Sequence, residues 1–171
     1  ITAHETALTR VSYDVHGKQT DKTGPKIRGI SFLQYAWTAL SFEGKRSFTH
    51  TDEPVDEPIG LADPATFGKQ AVNTLLENVT IRFVGRVAGY FRGDGLVIRN
   101  SLFSDTGTEA VYIIGSSDVL VEHNIVERNN IEAITGYYAS AVKIINQTYD
   151  VVVRDNIVKN HKQSVGIWYD I

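Results

Sequence analysis

The chain has 171 residues, with 17 basic against 20 acidic side chains and a net charge of −3. That is the size of one domain, and it carries no basic stretch able to neutralise several nucleic-acid phosphates. At 42% hydrophobic and 22% charged, with no cysteine, it has a globular makeup, no run of about 18 apolar residues to span a membrane, and no means of making disulfides, thiolate nucleophiles or cysteine-based zinc sites.

In chain order, the first strand-like segment is Ile27-Arg28-Gly29-Ile30-Ser31-Phe32. Residues 43–73 then interrupt the pattern. They hold the acidic, proline-rich Thr51-Asp52-Glu53-Pro54-Val55-Asp56-Glu57-Pro58, read as an irregular loop, and Asp63-Pro64, which opens a short helix with Asp63 as N-cap. Four segments follow that resemble the first. They are Leu76-Glu77-Asn78-Val79-Thr80-Ile81, Ile98-Arg99-Asn100-Ser101-Leu102-Phe103, Glu122-His123-Asn124-Ile125-Val126 and Arg154-Asp155-Asn156-Ile157-Val158. Their asparagines fall 22, 24 and 32 residues apart, and Gly29 takes the asparagine position in the first segment. A second repeated stretch alternates with these: Ala110-Val111-Tyr112-Ile113-Ile114, Ala141-Val142-Lys143-Ile144-Ile145 and Gly166-Ile167-Trp168-Tyr169-Asp170. The 32-residue interval contains Ile131-Glu132-Ala133-Ile134-Thr135-Gly136-Tyr137-Tyr138, an insertion at 131–138.

The repeats are short β-branched runs punctuated by Gly, Asn, Asp and Ser, so they read as strands. Helical periodicity is nearly absent. A period near 22 residues, with turn residues at constant phase, describes one rung of a right-handed parallel β-helix. The fold class is therefore all-β: one solenoid domain over 1–171, with loop insertions at 43–73 and 131–138. A leucine-rich solenoid would need a denser leucine pattern and a helix per unit. Asn78, Asn100, Asn124 and Asn156 are expected to stack as one structural ladder, each side-chain amide bonding to its neighbours on adjacent rungs, and asparagine tolerates the left-handed turn backbone. The chain opens at Ile1, as a processed product or an internal piece would. It finishes directly after a strand-like run, so further rungs are expected, from a longer parent chain or a stacked second chain.

Strand alternation separates two faces in the second stretch. Val111 and Ile113, Val142 and Ile144, and Ile167 and Tyr169 share the inward phase. Tyr112, Lys143 and Trp168 share the outward one, and Asp170 joins them two residues beyond Trp168. Aromatic rings, an ammonium and a carboxylate in one column suit a sugar-binding groove, because ring faces stack on pyranose C–H groups while charged groups bond hydroxyls. The same residues also suit a surface ladder that serves stacking alone. Tyr137 and Tyr138, on an insertion over one face, are either further substrate contacts or packing aromatics. His123 and His161 read as turn residues, and no metal-ligand spacing occurs. No cofactor is expected. Ca²⁺ is the ion that Asp52, Glu53, Asp56 and Glu57 would suit by charge, though their spacing matches no EF-hand loop.

The repeats over residues 75–171 resemble those of carbohydrate-active parallel β-helix proteins. Gly166-Ile167-Trp168-Tyr169-Asp170 is similar to the Gly-Ile-Trp-x-Asp motif of bacterial β-helix glycoside hydrolases. The resemblance implies that Asp170 is the nucleophile. It also implies a general-acid glutamate about one rung further on, a position this chain does not reach. Within the chain, Glu132 is the substitute acid, provided its loop folds over the groove. Glycoside hydrolysis needs two carboxyl groups, about 5–5.5 Å apart for retention and about 6.5–9.5 Å for inversion. Lys143, one rung before Asp170, is placed to pair with its carboxylate.

The leading expectation is an extracellular polysaccharide-active protein, secreted, cell-surface or periplasmic. It would be a glycoside hydrolase acting on a plant or algal glycan, with no nucleic-acid or membrane partner. A lyase of the same fold would use Lys143 or Arg154 as base, and a non-catalytic glycan-binding or structural module is the third reading.

Overall fold

The computed structural model describes residues 13–16, 24–44, 72–135, 139–145 and 148–170. Every described element is a strand, and every strand pairing is parallel. Among the described residues, five successive rungs of three strands each stack on one another. The first is β2 (Lys26–Arg28), β3 (Ser31–Tyr35) and β4 (Leu40–Gly44), preceded by β1 (Tyr13–His16). Next come β5 (Leu75–Glu77), β6 (Thr80–Val84) and β7 (Gly89–Phe91), then β8 (Val97–Arg99), β9 (Leu102–Thr106) and β10 (Val111–Ile114). The fourth rung is β11 (Val119–Glu122), β12 (Ile125–Glu127) and β13 (Ser140–Ile145), and the fifth is β14 (Val151–Arg154), β15 (Ile157–Lys159) and β16 (Val165–Tyr169).

Each strand pairs with its counterpart three elements away, which gives three sheets. The first runs β1-β4-β7-β10-β13-β16, the second β2-β5-β8-β11-β14 and the third β3-β6-β9-β12-β15. This is a parallel β-helix, as the repeat predicts. Its core follows from strand alternation. Leu76, Ile98 and Val121 point in from the second sheet, Ile81, Phe103 and Val126 from the third, and Phe42, Phe91, Ile113 and Ile144 from the first. Phe42 and Phe91 stack with ring centroids 5.7 Å apart. On the last described rung the same inward phase leaves Ile167 and Tyr169 exposed.

The corner between the second and third sheets corrects the predicted asparagine ladder. Gly29, Asn78, Asn100, His123 and Asp155 all have positive φ, between 51° and 65°, so they share one left-handed position. Asn78 and Asn100 are exposed there. The ladder lies one residue later and has different members. Val79 N–H donates to Ser101 Oγ (3.1 Å), Ser101 N–H to Asn124 Oδ1 (3.0 Å) and Asn124 N–H to Asn156 Oδ1 (2.9 Å). Asn124 and Asn156 are therefore ladder residues, while Asn78 and Asn100 are turn formers. Asparagine suits both positions for separate reasons, left-handed tolerance in one and hydrogen bonding in the other. The corner between the first and second sheets carries a similar ladder, Gly93 N–H to Ser116 Oγ and Ser116 N–H to Thr148 Oγ1.

A charged column marks the outside of the second sheet. Arg28, Glu77, Arg99, Glu122 and Arg154 align in register with alternating sign. Glu77 binds both Arg28 and Arg99 at 2.7 Å, and Glu122 binds Arg154. Exposed pairs of this kind add little stability each, but a rung slipped along its strand would lose all of them together.

Candidate functional site

The outward face of the first sheet carries the predicted column. Ser41, Tyr90, Tyr112, Lys143 and Trp168 occupy one register position on β4, β7, β10, β13 and β16. Tyr90 and Tyr112 are in ring contact at 4.8 Å between centroids. Lys143 Nζ lies 3.6 Å from the Trp168 ring centroid and 3.2 Å from Asp170 Oδ2. Asp170 is fixed through its backbone as well, since its N–H donates to Ile144 O at 2.8 Å. Sequence spacing thus brings Tyr112, Lys143, Trp168 and Asp170 together.

Their exposures differ from the expectation of an open groove. The Lys143 side chain is 0% exposed and that of Asp170 38%. Tyr112 is buried and packs with Val87, Ile114 and Ile145 in a small apolar cluster outside the main core. Lys143 is therefore a covered support beneath Trp168, and Asp170 is the charged member that meets solvent. The strand pattern gave the face correctly, but alternation does not reveal that an outward side chain can be roofed by the indole one rung along.

Glu132 lies elsewhere. Its N–H donates to Gly107 O at 3.2 Å, in the corner that leads from the third sheet into the first, and its Oε2 is 3.4 Å from Arg86 Nη1. Asp170 follows the far end of β16. On the order of 15–20 Å of strand separates the two levels, so Glu132 does not reach the Asp170 carboxylate. Around Glu132, Asn130 accepts from Ile134 N–H and donates to Ile134 O, closing a tight turn. Tyr137 and Tyr138 lie outside the described residues, as do residues 45–71 with the acidic loop and the Asp63-Pro64 helix start.

Three residues at this corner escaped the sequence reading. Trp37 stands one rung before Arg86, whose guanidinium carbon is 5.3 Å from the Trp37 ring centroid. Arg86 N–H donates to Trp37 O, and Thr108 N–H to Arg86 O. Glu109 is 6% exposed. Burial pushes its carboxyl above the usual glutamate range, against the opposing pull of Thr108, Arg86 and Lys143. Aligning the corners rung by rung, as well as the strands, would have found Trp37 and Arg86, because they share one turn position with Thr108, and Glu109 is the next residue along.

His161 also departs from expectation. Both its ring nitrogens are buried without a hydrogen-bond partner, as is Asn129 Oδ1 on the preceding rung. Burial holds the imidazole below its usual pKa. His123 is an exposed turn residue as read. Among the described residues no three His, Asp or Glu side chains cluster as metal ligands.

Three parallel sheets, repeated corners and polar ladders inside the corners define the parallel β-helix class. A family model described as the right handed beta helix region matches residues 59–170, and the chain belongs to that family. Comparison with curated proteins and with solved structures returned no match.

Proposed function

We propose that this β-helix acts on a polysaccharide along the outer face of the first sheet, as a glycoside hydrolase with Asp170 as its reacting carboxylate. The observation that carries the reading is the Lys143–Asp170 pair, 3.2 Å long. A buried ammonium holds one oxygen of a half-exposed carboxylate in place, and Trp168 forms the adjoining wall. Trp168 would stack on a sugar ring, with Lys143 fixing it from below. Preorganisation of this kind keeps a nucleophile within the narrow geometry that displacement requires.

The lyase reading has less support. Lys143 is covered by Trp168, and Arg154 lies on the second sheet, bound to Glu122 at 2.7 Å, so neither presents an accessible base on this face. A glycan-binding module without turnover is the second reading. It is favoured by Glu132, which pairs with Arg86 and supplies no second carboxyl beside Asp170.

The test is sugar release from a panel of plant and algal glycans by the intact protein. Asp170→Asn is expected to lower kcat on the order of 10³–10⁴-fold. Undiminished turnover in that variant would remove Asp170 from the chemistry. Saccharide binding with no product from the wild type would establish the module reading.

A further inference from the structure

The corner that joins the third sheet to the first holds a second group built like the one at Asp170. In each, a cation lies against a tryptophan ring and pairs with a carboxylate. At the corner these are Arg86, Trp37 and Glu132, with the guanidinium 5.3 Å from the ring and 3.4 Å from the carboxylate. Trp37 is 39% exposed and the Glu132 side chain 43%.

The backbone beneath is rigid. Rungs press together so closely that a Cβ on Gly85 would enter the Ala36 carbonyl and one on Gly107 the Gly85 carbonyl. Glu132 Oε1 occupies the remaining space, 2.9 Å from where a Gly107 Cβ would sit. Arg86 and Glu132 are each tied to the ledge by a backbone hydrogen bond, to Trp37 O and Gly107 O. A ligand meeting this group finds it already assembled, which lowers the ordering cost of binding.

We propose that Trp37, Arg86 and Glu132 form a second saccharide-binding site, which takes a neutral sugar of the same polysaccharide at the opposite end of the first-sheet strands. This rests on the glycan reading of the Asp170 face. The exposed indole offers an apolar surface to sugar C–H groups. The ion pair presents N–H donors beside carboxylate acceptors, which suits neighbouring hydroxyls that must both give and receive hydrogen bonds. Charge argues for a neutral ligand over a uronate. Arg86 already faces Glu132 and has Glu109 close by, so an acidic sugar would meet carboxylates.

Calorimetric titration of the intact protein with neutral gluco-, manno- and xylo-hexasaccharides, and with a galacturonate hexasaccharide, tests the site. Trp37→Ala and Glu132→Ala are each expected to weaken binding of the preferred neutral hexasaccharide by about tenfold, with circular dichroism unchanged. Glu132 is exposed, so its variant does not depend on the core. Wild-type affinity in both variants, or preference for the galacturonate, overturns the site. So does a wild type that binds no saccharide at all, an outcome that also removes the glycan reading. Asp170→Asn turnover reads the catalytic assignment separately: a protein that binds through Trp37 yet turns over normally without Asp170 keeps this site and loses that one.

Discussion

Two tryptophan–cation–carboxylate groups flank the outer face of the first sheet, and they are held together by different means. Around Asp170 the cation is a lysine with no exposure, roofed by Trp168 and set against Tyr112. Around Glu132 it is an arginine, 27% exposed, standing on a ledge of stacked corners. The first group depends on side-chain packing and the second on close backbone approach. Lysine is rarely buried because its ammonium is strongly hydrated, and here Asp170 and the indole face replace that water. Arginine keeps part of its hydration and needs less compensation.

That contrast predicts where each group breaks. Gly107→Ala should have the largest effect, about 3–5 kcal/mol of lost stability, because a backbone carbonyl cannot yield as a side chain does, and Glu132 should be displaced with it. Chemical denaturation measures the loss. A cost below about 1 kcal/mol would mean that the rungs can separate freely and that the ledge is not rigid.

Lys143→Ala should follow, at about 2–4 kcal/mol, since it opens a cavity under Trp168 and removes the partner of Asp170. Lys143→Met separates the two causes. Buried ion pairs contribute little beyond an apolar side chain of the same shape, so Met should stay within about 1 kcal/mol of wild type in stability while losing the alignment of Asp170. Arg86→Ala, at the exposed group, should cost under about 1 kcal/mol. Equal losses at Lys143 and Arg86 would erase the distinction between the two regions.

The fold and half of the candidate site were legible in the sequence for one reason: alternation and repeat length survive as pattern. Val111, Val142 and Ile167 align as expected, and with them Tyr112, Lys143 and Trp168 on the opposite face. Corners repeat with the rung, as the left-handed position at Gly29, Asn78, Asn100, His123 and Asp155 does, but no alternation marks their phase. Asn100 and Asn124 are 24 residues apart, whereas the rung step there is 23, as the pairing of Ile98 with Val121 sets it. One residue of slippage therefore merged a turn position with a ladder position. The same blindness concealed Trp37, Arg86 and Glu109, which lie in corners, and it left the direction of the Glu132 insertion open. Burial of Lys143 was hidden for a different reason, since the alternation of a strand says nothing about what covers it.

Glu109 offers the smallest and most discriminating test, because its carboxyl is influenced by Arg86 of one group and Lys143 of the other. Burial raises its pKa in the folded protein above the value of 4.5 for an unperturbed glutamate. A raised carboxyl binds its proton more tightly when folded, so its favourable contribution is complete below that value and is lost as pH rises through the folded one. His161 has the opposite sign: its lowered pKa makes the folded state less stable as pH falls below 6.5. Asp105, held at about 2 mainly by Arg128, acts only in more acidic solution, where stability declines as pH falls from about 4 towards 2. The melting temperature of Glu109→Gln relative to wild type, followed from about pH 4 to 8, cancels His161 and Asp105 because both proteins contain them. The two should melt together near pH 4, and the variant should become the more stable, by a few degrees, as pH rises through the raised pKa of Glu109. A difference that stays flat with pH would mean that Arg86 and Lys143 offset the burial of Glu109 completely, and that the two cation groups are electrostatically joined through it.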